Sequence, residues 1–324
     1  MFKMSWYITL GNFRLKMLEK VEIDRSVDTL ADTATITLPG MVFNKALEVE
    51  SKIKRGDKVL VQLGYDDKLV TEFDGYIESI HTDGGIIALN CEDALFLYRV
   101  PIDDIQLANV SVTDILNFVN AKVSANYPTM PAFTLSCDYD FRYQKFTIKG
   151  ATAFDVLKKI QEEAKPNIYL KGSVLHVHPQ YSEIFGKTAY DFAVNIDRNG
   201  CDLKYRHANE RNVIVEIEYT TPDGKVAKVS YGTTGGEKVS LKAGTTDIAS
   251  LQLLAQQEHD NRVFDGYDGS FAGWLIPYCD AGYQISLNNK DYAFKNGNYY
   301  VIGVKTEFSK EGAKRNIKLG KRLS

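Results

Sequence analysis

Apolar and polar residues alternate along short runs at both ends of the chain, and only in the middle does the apolar spacing lengthen to that of a helix. A period of two sends successive side chains to opposite faces of a strand, whereas a period near 3.6 gathers them on one side of a helix. From Trp6 to about Tyr98 the first pattern holds. Ala34, Ile36 and Leu38 alternate with Thr33, Thr35 and Thr37, and Val59, Val61, Leu63 and Tyr65 alternate with polar neighbours. Asp66-Asp67 and Asp83-Gly84-Gly85 are turn signals, Phe73 to Ile80 reads as a strand between them, and Ile87, Leu89 and Cys91 alternate on the next. These runs predict a small antiparallel barrel or sandwich with one wet face.

Between about 99 and 180 the period changes. Ser111-Val-Thr-Asp114 has the form of a capping box and opens an apolar stripe through Ile115, Leu116, Val119 and Val123 that stops before Pro128. Thr152-Ala-Phe-Asp155 opens a second stripe, with Leu157, Ile160 and Ala164 on one face, and Pro166 ends it. A hairpin is expected from Ile168 to His178. The middle is therefore read as a small α+β domain. After about 200 strands return: Val213, Val215 and Ile217 alternate inward, and Thr221-Pro-Asp-Gly224 turns into Val226 to Tyr231. A helix is expected from about Asp247 to Arg262 with Ile248, Leu251, Leu254 and Ala255 buried, and a Gly- and Tyr-rich stretch, 264–273, leads into the last strands.

Composition narrows the function classes. In 324 residues, 39 Lys and Arg against 42 Asp and Glu leave a net charge of -3, which argues against nucleic acid as the main partner. Cys91, Cys137, Cys201 and Cys279 are widely separated and form no metal or disulfide spacing, so they are read as buried thiols of a reducing cytosol. The opening residues lack a signal-peptide core, and no apolar run approaches the roughly 18 residues of a membrane span.

Two distant segments share an order of features. Gly56-Asp-Lys-Val-Leu-Val61, Phe73-Asp-Gly-Tyr-Ile77 and Gly85-Ile-Ile-Ala-Leu89 are matched by Gly282-Tyr-Gln-Ile-Ser-Leu287, Asn296-Gly-Asn-Tyr-Tyr-Val301 and Gly312 followed by Arg315-Asn-Ile-Lys-Leu319. Any two three-stranded meanders look alike at this level, and so does a duplication. If the chain is duplicated it supplies two similar barrels, and three chains supply the six needed for a ring that is three-fold by chain and nearly six-fold by shape.

The stretches Asp28 to Pro39, Lys54 to Val61, Phe73 to Ile77, Cys91-Glu-Asp93, Gly150 to Leu157 and Gly312 to Gly320 resemble, in order and over nearly the whole chain, the baseplate hub proteins of contractile phage tails. That family includes late control protein D and the Mu-like tail protein, and is related to the hub portion of type VI secretion spikes. The resemblance implies an α+β, mainly β fold: a first hub β-barrel over 1–98, an α+β domain over 99–195, and a second β-barrel over 196–324 with 225–280 inserted as a peripheral helix-containing element. It implies a homotrimer in a virion baseplate or phage-like particle, assembled in the bacterial cytoplasm. Its partners would be the tail tube protein, a separate spike protein and other baseplate subunits, with no specific nucleic-acid binding and no stable membrane insertion; the lumen of such a ring is expected not to be basic, because a positive wall would retard passing DNA.

Chemistry is not expected: no catalytic residue, cofactor site or metal site is assigned. His176 and His178 point to one face of a strand, but with no third ligand nearby in sequence they are read as a solvent-facing hairpin pair. The acidic pairs Asp66-Asp67, Glu92-Asp93 and Asp103-Asp104 are read as turns, caps and surface charge, since sequence neighbours on a strand cannot face each other across a substrate. The basic residues Lys310, Lys314, Arg315, Lys318, Lys321 and Arg322 are read as a solvated strand end, with an acidic contact on a neighbouring subunit as the sharper alternative. Nineteen tyrosines, several between 264 and 300, leave a rival reading open: a tail-tip protein that binds glycans or receptors.

Overall fold

The computed structural model describes residues 2–39, 52–83, 86–221 and 223–323. The expected Gly84-Gly85 turn and Pro222 lie outside these. The first lobe comprises β1 (Met4–Leu10), β2 (Phe13–Arg14), β3 (Lys20–Ser26), β4 (Thr33–Pro39), β5 (Lys58–Tyr65), β6 (Lys68–Asp83) and β7 (Ile86–Glu92). Its alternation is the one read from sequence, and Ile8, Ile23, Ile36, Val61, Ile77 and Leu89 point into one core. Asp66 and Asp67 take φ of 51° and 61°, the left-handed pair that lets a two-residue turn follow the twist of β5 and β6. A register shift between Ile77 and Ser79 bends β6, so that its first half pairs β5 and its second half pairs β7.

The middle unit contains β8 (Ile105–Ser111), α1 (Val112–Asn126), β9 (Thr134–Cys137), β10 (Arg142–Ile148), α2 (Ala153–Ala164), β11 (Asn167–Lys171) and β12 (Val174–His178). Both capping boxes form: the Ser111 hydroxyl accepts from the Asp114 amide at 3.1 Å, and Thr152 accepts from Asp155 at 3.2 Å. Lys165 closes α2 in the left-handed conformation, and Pro166 forbids another turn. The buried stripes of both helices pack with Leu95, Tyr98, Phe141, Tyr143 and Val177 into a second core. Each such aliphatic chain contributes about 1.5–3 kcal/mol when fully removed from water.

The rest of the chain comprises β13 (Gly186–Asp191), β14 (Ile196–Arg206), β15 (Val213–Thr220), β16 (Val226–Gly232), β17 (Glu237–Lys242), α3 (Ile248–Asp260), β18 (Gly266–Gly273), β19 (Tyr283–Asn288), β20 (Gly297–Ser309) and β21 (Gly312–Arg322). Strands β16, β15 and β17 form a separate sheet under α3, with its own small core of Val213, Val215, Ile217, Leu251, Leu254 and Ala255. The peripheral element expected at 225–280 therefore begins earlier, at β15, and ends before β18, which returns to the main sheet. On α3 the expected Ile248 is exposed, and Ser250 and Glu258 are buried instead. The Asp247 carboxylate caps the helix through the Ser250 amide, and the Arg142 amide donates to the Ser250 hydroxyl, so the first turn faces the middle unit rather than water.

One 13-stranded sheet joins the two lobes, and its pairing repeats. The first lobe runs β5-β6-β7-β4-β3, the second β19-β20-β21-β18-β14, every neighbour antiparallel. The counterparts also follow one another in the same chain order, with the β15–α3 module spliced between β14 and β18. Strand β3 pairs with β20 from Ser26–Gly303 to Lys20–Ser309, and this ladder is the seam between the lobes. Among the described residues no helix is long and apolar enough to cross a membrane.

Candidate functional site

Charge is buried at the seam. The guanidinium of Arg25 on β3 donates to Glu72 on β6 at 3.0 Å, and to Asp280 and the Tyr278 hydroxyl at 3.0 Å each. Arg315 on β21 donates to the other oxygen of Glu72 and to the carbonyl of Leu275 at 2.8 Å. One carboxylate of the first lobe thus sits between an arginine of each lobe. Burial opposes the charge on Arg25, but Asp280, Tyr278 and Glu72 outweigh it and raise its pKa. Burial also raises the Glu72 carboxyl, against the pull of Arg315 and Arg25. Such a network resists sliding of one lobe on the other, because moving either arginine strands a charge out of water.

Arg315 corrects the reading of the basic C-terminal cluster as a solvated strand end: it is fully buried. Its neighbours behave differently, Lys314 pairing with Asp197 at 3.2 Å and Arg322 donating to the Asn296 carbonyl at 2.8 Å. The acidic pairs serve as turn, cap and surface ion pairs. Asp93 caps the short helical turn Ala94–Tyr98, Glu92 pairs Arg99, and Asp104 accepts from the Gly150 amide at 2.7 Å. Asp93 and Asp32 approach each other across the start of β4, the Asp32 amide donating to Asp93 at 3.2 Å, and burial pushes the Asp93 carboxyl up to about 6.

The tyrosines of 264–300 divide. Tyr267, Tyr299 and Tyr300 are buried, the first two in the core of the second lobe, so they offer no platform to a sugar. Tyr292 and Phe294 are exposed in the β19–β20 connection, where Lys295 lies over both rings. Trp274 and Ile276 are exposed just past β18. A cleft of about 670 Å³ lies between the two lobes, α2 and the end of α3, and no histidine, cysteine or serine is among its described lining residues. All four cysteines are free, Cys91 and Cys279 buried and Cys137 and Cys201 partly so.

The His176–His178 pair is not the solvent-facing pair expected. His178 is 5% exposed, and Glu183, five residues beyond it, brings its carboxylate to 3.1 Å from His178 Nε2. Asp138, at the end of β9, lies 2.7 Å from His178 Nδ1. The Tyr169 ring stacks on His176 with centroids 4.7 Å apart, and its hydroxyl donates to Glu183. Burial lowers the pKa of His176 more than Glu183 raises it. Sequence reading missed Glu183 because it follows the Pro179-Gln180 corner, where strand periodicity says nothing about direction.

No family model and no curated protein matches the chain. Solved structures do. A tail protein from Neisseria meningitidis MC58 superposes with a TM-score of 0.64 at 16% identity, over 98% of this chain and 96% of that one. The 43 kDa tail protein of prophage MuSo2 from Shewanella oneidensis gives 0.63 at 14%, over 98% of both chains. The E. coli c3393 protein, a type VI secretion component described as similar to the bacteriophage T4 tail proteins gp27 and gp5, gives 0.59 at 9%, over 98% of this chain and 79% of that one. At these identities the likeness is one of fold, and it agrees with the α+β, mainly β class that the sequence resemblance implied.

Proposed function

We propose that the chain is a non-enzymatic baseplate hub subunit of a phage or phage-like contractile tail, and that three copies close into a pseudo-six-fold ring joining the tail tube to the central spike. In this reading 1–98 and 196–324 are the two ring-forming barrels, 99–195 reaches the adjacent subunit, and the module around α3 is peripheral. The fold shared with tail proteins over almost the full chain supports the class.

One observation carries the ring. Strand β3 of the first lobe lies against β20, the counterpart of β6 in the second. Among the described residues β14, the counterpart of β3, pairs with β18 alone and keeps one open edge, while β6 over Ser79–His81 has β7 on one side and no described strand on the other. Placing β14 of one chain along β6 of the next repeats between chains the contact already made within one. A head-to-tail contact of this kind closes into a ring when its rotation divides the circle. Burial of edge strands, rather than catalysis, then performs the function.

The test is the mass of the purified chain by native mass spectrometry, with particle class averages. A trimer with a central opening is expected. The register is tested by combining Lys204→Cys on β14 with His81→Cys on β6, which should give disulfide-linked oligomers that neither single variant gives. A strict monomer that binds glycan arrays would overturn the reading in favour of a receptor-binding protein.

A further inference from the structure

Around His178 three side chains of metal-ligand type come together. A carboxylate accepts hydrogen bonds and donates none, so the 2.7 Å contact of Asp138 with Nδ1 places the ring proton on Nδ1. The other ring nitrogen, Nε2, faces Glu183 at 3.1 Å and His176 Nδ1 at 3.4 Å. The donor atoms of His176, His178 and Glu183 all lie within 4.8 Å of one another. Each of the three offers an electron pair toward the space between them. A cation at their centre satisfies all three.

We infer that His176, His178 and Glu183 form a binding site for a divalent transition cation of the zinc class, with Asp138 as the outer partner that orients His178. Two imidazoles and one carboxylate are the ligand types such an ion takes, and the fourth position is left to water. Ligands bound at about 2.1 Å in a tetrahedron stand about 3.4 Å apart, close to two of the separations already present. The surroundings hold the ligands in place. Tyr169 stacks on His176 and hydrogen-bonds the second Glu183 oxygen, while Phe185 packs edge-on against Tyr169 at 4.8 Å. The Asp138 contact is the carboxylate–histidine arrangement that fixes the tautomer of a metal ligand.

The place gives the ion a mechanical role. His176 and His178 belong to β12, the last strand of the middle unit, and Glu183 belongs to the connection that enters β13 of the second lobe. Bound metal ties the two together where the chain passes from one to the other, and so fixes the angle of the middle unit. This holds whether or not the chain builds a ring.

The full chain, stripped with chelator, is titrated with Zn2+ by calorimetry and with Co2+ by visible absorption. One ion per chain, a tetrahedral Co2+ band displaced by Zn2+, and a higher melting temperature with Zn2+ are expected. Glu183→Gln and His176→Ala should each weaken binding at least tenfold, and Asp138→Asn by roughly ten- to a hundredfold. Circular dichroism of each variant separates lost ligands from lost fold. No saturable binding to the unmodified chain overturns the site. Binding that survives both ligand substitutions overturns the assignment of residues.

Discussion

The two lobes carry the same strand order on different cores. The first packs aliphatic chains, Ile8, Val21, Ile36, Val59 and Leu89, around Phe73, whereas the second packs Tyr190, Tyr267, Phe271 and Tyr299 around Val301 and Ile317. Strand order depends on alternation and turns, and the core tolerates exchange of its members when volume and pattern are kept. The repeat is therefore visible in sequence as an order of glycines and strands and invisible as identity. The lobes differ also at their edges: among the described residues β3 has a neighbour on each side and β14 on one, although the two occupy the same place in their lobes.

The largest test of this comparison is at the seam. Glu72→Ala leaves Arg25 and Arg315 buried without their shared anion and should cost about 3–5 kcal/mol in denaturant unfolding. Joint replacement of Arg25, Glu72 and Arg315 by methionine should cost far less, which would separate a need for charge from a need for filled volume. Next, Leu89→Ala in the first core should cost about 2–5 kcal/mol. Because the β3–β20 ladder joins the lobes, it should shift a single unfolding transition; a transition in which the second lobe melts unchanged would break the claim that the seam couples them.

A smaller effect is confined to the first lobe. Burial raises the Asp93 carboxyl from 3.8 to about 6, so its protonated form is favoured by folding. The stability it contributes is complete below about 3.8 and is lost as pH rises through about 6, an amount on the order of 2 kcal/mol after allowance for its partial exposure. Burial raises Asp32 in the same direction. Asp93→Asn should therefore stabilise the chain at pH 7 and flatten the profile between pH 4 and 6; an unchanged slope would place the titration elsewhere. The smallest effect belongs to the second lobe: Tyr299→Phe removes the hydroxyl that accepts from the Tyr267 amide at 3.1 Å and should cost about 1 kcal/mol, read as a melting shift.

Both capping boxes, the alternation of β4 and β5, and the inward face of β15 could be read directly, since each depends on residues within one element. Ile248 could not, because the first turn of α3 is oriented by the Arg142 amide, more than a hundred residues away. Arg315 looked like one of six surface cations, and nothing local marks the one that finds Glu72 across the sheet. Glu183 reaches His178 only because the corner after β12 turns it back, and the place where the peripheral module begins depends on which sheet β15 joins.

By itself the sequence determined the mainly β, α+β class of the fold, its three long helices and several of its strands, a similar order of features in two three-stranded stretches and the absence of a basic excess, because periodicity, caps, turns and charge are properties of neighbouring residues. Only the tertiary structure decided that the lobes share one sheet through β3 and β20, that three ionic side chains are buried at that seam, and that two histidines meet a glutamate. Those contacts join residues far apart in the chain or across a turn, and their energies come from desolvation and geometry that no local pattern encodes.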